Sequence, residues 1–109
     1  MKLVVAIVQD EDSDNLVGEL VQQGFRMTRI SSTGSLLRTG NTSLLSGVED
    51  WEVPRVIAIV RQICRRRNQV AVPYSPALEP GLLYLADHFE VEVGGAVIFV
   101  LDVERFERL

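Results

Sequence analysis

The chain opens with Leu3–Val8, LVVAIV, in which no polar residue interrupts the apolar positions. That is the pattern of a central strand covered on both faces. From Asp10 the period changes: Leu16, Val17, Leu20 and Val21 recur at helical spacing, which predicts a helix running to about Gln23. The acidic run Asp10, Glu11, Asp12, Ser13, Asp14 supplies a capping residue and first-turn carboxylates, and Gly24 is placed to close the helix at C′. β-branched and polar residues then alternate through Met27, Thr28, Arg29 and Ile30, and a second strand resumes from Thr42 to Val48. Glu49-Asp50 introduces another helix, with Pro54 in its first turn and the stripe Val53, Val56, Ile57, Val60, Ile63, Cys64 facing inward.

After that helix the periodicity dissolves. Between Asn68 and His88, Pro73, Pro76, Pro80 and Gly81 forbid a long regular element, so this stretch reads as a loop. Its Leu82, Leu83, Tyr84 and Leu85 are too apolar for a free tether and predict packing against a surface. Phe89–Leu101 alternates at first and is then apolar on both faces, with Gly94-Gly95 marking a bulge or the close approach of another backbone. The tail from Asp102 to Leu109 is short and charged, with Phe106 and Leu109 able to dock.

The order strand, helix, strand, strand, helix, strand predicts an α+β domain of ferredoxin-like βαββαβ type, both helices on one face of the sheet. Length and an apolar content of 47% bound this to one domain over residues 1–109 with a single core. The other sheet face is left bare, yet the first and last strands are apolar on both sides. Exposing such a face is unfavourable by roughly 25 cal/mol per Å², which predicts a homo-oligomer with the open faces buried together.

Charge narrows the chemistry. A net charge of −4 argues against general nucleic-acid binding, which needs a dominant basic face. No apolar run approaches the roughly 18 residues that span a bilayer, and no leader pattern is visible, so membrane insertion is not expected and a cytoplasmic location is. The one cysteine, Cys64, falls on the apolar stripe and reads as a small core residue. Arg65-Arg66-Arg67 reads as the basic end of a helix in preference to a phosphate site. His88 reads as structural; Asp10, His88 and Cys64 show no spacing of nucleophile, base and orienter, so no catalytic residue is assigned. Adjacent carboxylates at a helix start diverge, so no metal and no cofactor is assigned either.

Against this acidic background the run Arg26–Gly47 stands apart. It carries Arg26, Arg29 and Arg38, and neither Asp nor Glu occurs between Phe25 and Val48. Thr33-Gly34-Ser35 and Thr39-Gly40-Asn41 tolerate positive φ and expose backbone N–H groups that suit an anion. The same residue types also serve any ordinary connection between strands.

Several stretches together resemble the PII-like cyclic-di-AMP receptor family of bacterial signalling proteins over nearly the whole chain. They are VVAIVQDEDSDNL, RMTRISSTGSLLRTGNTSLLSGV and VEVGGAVIFVLDVERF, with Gln9-Asp10, Arg26 and Thr28, Leu37-Arg38, Gly40-Asn41-Thr42, Gly47, Val93-Gly94-Gly95-Ala96 and Phe99 as the specific parts. The resemblance implies a signal transduction receptor without catalysis: a homotrimer of ferredoxin-like subunits binding cyclic-di-AMP in the clefts between neighbours, and an unidentified protein target. It places a T-loop at about 33–41 and a B-loop at about 68–88. Carried over by residue, Arg26 would face a phosphate and Thr28 and Asn41 an adenine edge. The backbone of Ser35, Leu36 and Leu37 would wrap the ligand, Gly47 would admit a base, and Phe99 would add apolar wall. A guanidinium suits a phosphodiester oxygen, an amide can both donate to and accept from adenine, and glycine lacks the Cβ that would block a flat ring. Two alternatives remain beside this reading. One is a PII-like sensor of another adenine nucleotide, against which counts the absence of Lys and Arg from Ala71 to His88; the other is a homologue that has lost binding and is a structural trimer.

Overall fold

The computed structural model of the protein describes residues 1–32, 40–71 and 89–109. Strand β1 spans Lys2–Gln9 and runs directly into helix α1, Asp10–Gln22. Strands β2 (Thr28–Ser32) and β3 (Asn41–Val48) follow, then a 3₁₀ turn, Asp50–Glu52, and helix α2, Val53–Ile63. Strands β4 (Arg67–Ala71), β5 (Phe89–Val93) and β6 (Ala96–Asp102) complete the elements.

Four strands form one antiparallel sheet in the order β2-β3-β1-β6. In β1-α1-β2 the two strands flank β3, and β3 and β6 likewise flank β1, so two split β-α-β units interlock in the ferredoxin-like pattern expected from the sequence. Both helices lie on one face. The register decides which residues meet them: Val4, Ala6 and Val8 of β1 and Leu44 and Val48 of β3 are buried against Leu16, Leu20, Val56, Ile59, Val60 and Cys64. Cys64 is a buried free thiol, as its place on the stripe implied. Ile59 joins the core outside that stripe, while Val21, which the helical spacing included, is exposed.

Helix α1 stops by a complete Schellman arrangement. Gly24 takes φ 91°, its N–H reaches the Val21 carbonyl at 3.0 Å, and Phe25 N–H reaches Leu20 at 2.9 Å. Its start differs from expectation: Gln9 is the N-cap and no side chain caps the helix. The acidic side chains that were expected to cap it point to other elements instead, as described below. Helix α2 is introduced by Glu49, which forms a reciprocal capping box with Glu52.

Three further expectations need correction. Arg67 does not end α2; the helix closes at Ile63 with Cys64 as its C-cap, and Arg67 opens β4. Residues 68–71, read as loop, are strand; the close backbone approach expected at Gly94-Gly95 is present, since a Cβ on Gly94 would overlap the Arg65 carbonyl, but Phe89–Leu101 is not one strand with a bulge. Gly94 and Gly95, at φ 87° and 90°, break it into β5 and β6, and β5 leaves the main sheet to pair with β4 in a separate two-stranded ribbon. The sequence signal was obscured because Arg67–Ala71 is short and polar, and a two-stranded ribbon needs no covered face. The tail does not dock within its own subunit: Phe106 and Leu109 are exposed. The prolines of the second loop and His88 lie outside the described residues.

Candidate functional site

Among the described residues, no helix lies on the second face of the main sheet. In antiparallel pairs, residues directly opposite one another project to the same side, so the register maps that face row by row. One row runs Thr28, Leu45, Val5, Phe99 across all four strands. The next contains Gly47, Leu3 and Leu101, and on the other side come Ile30, Ser43, Ile7 and Val97. Apart from Thr28, Ser43 and Gly47 these are apolar, and Ile30, Phe99 and Leu101 are each roughly half exposed, at 45, 50 and 47%.

Four residues singled out by the sequence fall on or beside this face. Thr28 stands in the first row and Gly47 in the next. Arg26 lies two residues before β2 and is tied to β3 where Ser46 Oγ donates to its carbonyl at 2.6 Å. This leaves the exposed guanidinium without an ion pair or hydrogen bond among the described residues, whereas Arg29 and Arg67 pair with Asp14 and Asp12. Gly47 is exposed, and a Cβ built on it meets nothing within 4 Å. Its bareness therefore has no explanation among the described residues. Phe99 shares the row of Thr28 but sits on the opposite edge strand, three strand spacings or about 14 Å away.

Asn41 is set apart. It pairs with Gln9 and Ser32 at the far end of β3, four residues or about 14 Å from the Leu45 row, and is only 2% exposed. Its amide faces protein. Ser35, Leu36 and Leu37 lie outside the described residues. One subunit thus brings Arg26, Thr28 and Gly47 together, and holds Phe99 and Asn41 away from them.

Sequence reasoning missed a second concentration of polar contacts at the β1–α1 junction. Gln9 Oε1 accepts from the Gly94 N–H at 2.6 Å, Asp10 Oδ1 from the Thr42 hydroxyl at 2.6 Å, and the Asp10 N–H donates to the Gly40 carbonyl at 3.0 Å. Asp12, buried to 3% exposure, accepts from Arg67 Nη2 at 2.7 Å, and this partnership, led by the hydrogen bond itself, raises the already high pKa of the guanidinium. The signal was present in the polar run Gln9-Asp10-Glu11-Asp12, but it reads equally as helix-start chemistry. A cleft of about 310 Å³ opens beside the junction, lined by Gln9, Asp10, Glu11, Gly40 and Val91–Val93.

The Cys64 thiol is unsuited to nucleophilic work. Burial, reinforced by the nearby Asp12 charge and only partly offset by Arg67, pushes its pKa up to about 12, so it stays protonated. No helix among the described residues is long and apolar enough to cross a membrane.

Fold and surface together define a mixed α+β protein of ferredoxin-like pattern whose apolar sheet face ends in an arginine uncommitted among the described residues and a bare glycine. The chain belongs to the cyclic-di-AMP receptor family, whose pattern it matches over residues 1–109. That family is one of receptors, not enzymes. Among solved structures the chain is similar to a functionally unknown protein from Pediococcus pentosaceus ATCC 25745, at 37% identity and a TM-score of 0.80 over 99% of this chain and 96% of that one.

Proposed function

We propose that this protein binds cyclic-di-AMP as a PII-like cytoplasmic receptor in bacteria, at clefts between the subunits of a homotrimer, and passes the signal to a protein target without catalysis. Family membership over the full chain supports the ligand. The observation that supports this placement is the exposed Gly47 beside Arg26 and Thr28, a notch with no packing reason among the described residues. A strand glycine costs stability relative to alanine, by roughly 0.5–1 kcal/mol, and a flat base laid against the bare backbone is what makes that cost useful.

In this reading the Arg26 guanidinium takes a phosphodiester oxygen and Thr28 an adenine edge, while Gly47 admits the ring. Phe99 supplies apolar wall from the neighbouring copy, since within one subunit it stands about 14 Å away. Asn41 contributes its amide from the floor of the cleft, where binding must uncover it. The backbone of Ser35, Leu36 and Leu37 completes the enclosure. Burying the apolar faces of three copies together brings opposite edge strands into apposition and so creates the clefts.

Calorimetric titration with cyclic-di-AMP, cyclic-di-GMP and ATP tests the proposal. It predicts saturable heat with cyclic-di-AMP, and a loss on the order of 1–3 kcal/mol, about 5- to 150-fold in affinity, for Arg26→Ala. Absence of heat with cyclic-di-AMP at high micromolar concentration, or unchanged affinity in Arg26→Ala, contradicts it.

A further inference from the structure

The stretches 33–39 and 72–88 leave the described structure from two separate stems. The first is bracketed by Ser32 and Gly40, at facing ends of β2 and β3; the second by Ala71 and Phe89, on the β4–β5 ribbon. The two stems belong to different sheets. What joins them is the four-residue junction Gln9–Asp12, which holds both.

On one side, Asp10 grips the returning end of the first stem twice: its N–H donates to the Gly40 carbonyl, and its carboxylate accepts from Thr42. A Cβ at position 40 would overlap the Asp10 carboxylate, so glycine is what permits the approach. On the other side, the root of the ribbon is held at both of its strands. Arg67, first residue of β4, gives Nη2 to Asp12 at 2.7 Å and Nη1 to the Arg65 carbonyl at 3.0 Å, while Gly94, just past β5, gives its N–H to Gln9. Arg67 and Val93 are register partners, so these grips close on one end of the ribbon.

We propose that the β1–α1 junction is a coupling bracket, with Gln9, Asp10 and Asp12 as positioning residues, so that displacing the ribbon root loosens the Gly40 and Thr42 contacts at the start of β3 and the converse. The mechanism is mechanical. Residues 10–12 form one helical turn, whose backbone is too stiff for Asp10 and Asp12 to move independently. Both carboxylates are committed outward, with no side-chain cap holding the helix start in place of those contacts. A shift of Arg67 leaves the buried Asp12 carboxylate uncompensated, and the turn that carries it must move to recover a partner. That movement is transmitted to the Gly40 and Thr42 contacts. Coupling of this kind is reciprocal. It is a property of the free subunit and stands or falls independently of any ligand.

Residue-resolved amide exchange on the intact chain tests it. In Arg67→Met, which keeps the aliphatic stem, the Asp10 amide should exchange at least about tenfold faster although Arg67 touches neither Asp10 nor Gly40, while the β1 core amides of Val4 and Val8 keep their protection. Thr42→Val should in turn accelerate exchange of the Gly94 amide. Arg67→Lys, which keeps the charge, should fall between wild type and Arg67→Met, and serves if the methionine variant does not fold. Exchange that changes only within 67–71 and 89–93, or that rises uniformly in the core as well, overturns the proposal.

Discussion

At the level of single residues, the strongest statements come from groups whose presence the subunit itself does not require. Gly47 is one. Because a methyl group there meets nothing among the described residues, Gly47→Ala should leave the subunit as stable or raise stability by about 0.5 kcal/mol through the reduced entropy of the unfolded chain. The proposed site predicts that the same change lowers affinity for cyclic-di-AMP tenfold or more. Thermal melts paired with titrations separate the two, and a destabilised variant with unchanged affinity would make the glycine structural. Cys64 gives a test of the core. Its thiol is held protonated to about 12 in the fold but ionises near 9.0 once unfolded, so the unfolded state gains stability as the pH rises between those values. Stability should therefore be flat in this respect below pH 9 and fall by about 1.4 kcal/mol per unit above it. Urea midpoints across that range for wild type and Cys64→Val check the sign, the variant losing the alkaline slope. Both residues were visible in the sequence, Cys64 through its helical spacing and Gly47 through family resemblance alone. The burial of Asn41 was not visible, because strand alternation alone places it in line with Ser43, Leu45 and Gly47 of the open face.

At the level of elements, the sequence was informative wherever a face is buried. The helices and the three strands that abut them were legible because burial imposes a period on the chain. The β4–β5 ribbon was legible only in half, since Phe89–Val93 alternates but nothing in it says that it leaves the main sheet, and Arg67–Ala71 is short and largely polar. What it does carry is the glycine pair. Gly94 combines a positive φ with a backbone so close to the Arg65 carbonyl that a Cβ would overlap it, and Gly95 N–H closes onto the Cys64 carbonyl at 2.5 Å. Gly94→Ala should therefore cost about 1–3 kcal/mol from backbone strain, with the overlap adding to it, measured as a drop in the urea midpoint. A change below about 0.5 kcal/mol would show that the turn between β5 and β6 relaxes freely. The acidic start of α1 shows why local rules alone misplace side chains. Its carboxylates satisfy the usual preference for a helix N-terminus, yet Asp10 and Asp12 are spent on Thr42 and Arg67.

For the molecule as a whole, the proposed trimer accounts at once for the apolar sheet face of one subunit and for the distance between Phe99 and Arg26, since a neighbouring copy would cover the first and close the second. A homo-oligomer is what the unbroken apolar strands lead one to expect, and the register sets Phe99 on the edge strand opposite the one that Arg26 precedes. A site shared between subunits makes a prediction that a site within one subunit does not. Arg26→Ala and Phe99→Ala subunits, each defective in binding alone, should regain binding when co-assembled, because some clefts then combine an intact Arg26 from one copy with an intact Phe99 from the next. Random mixing in equal amounts should restore cyclic-di-AMP binding at roughly a quarter of the sites, read as calorimetric stoichiometry. Recovery near that fraction is the result the account predicts; no recovery from a mixture shown to have exchanged subunits would contradict it.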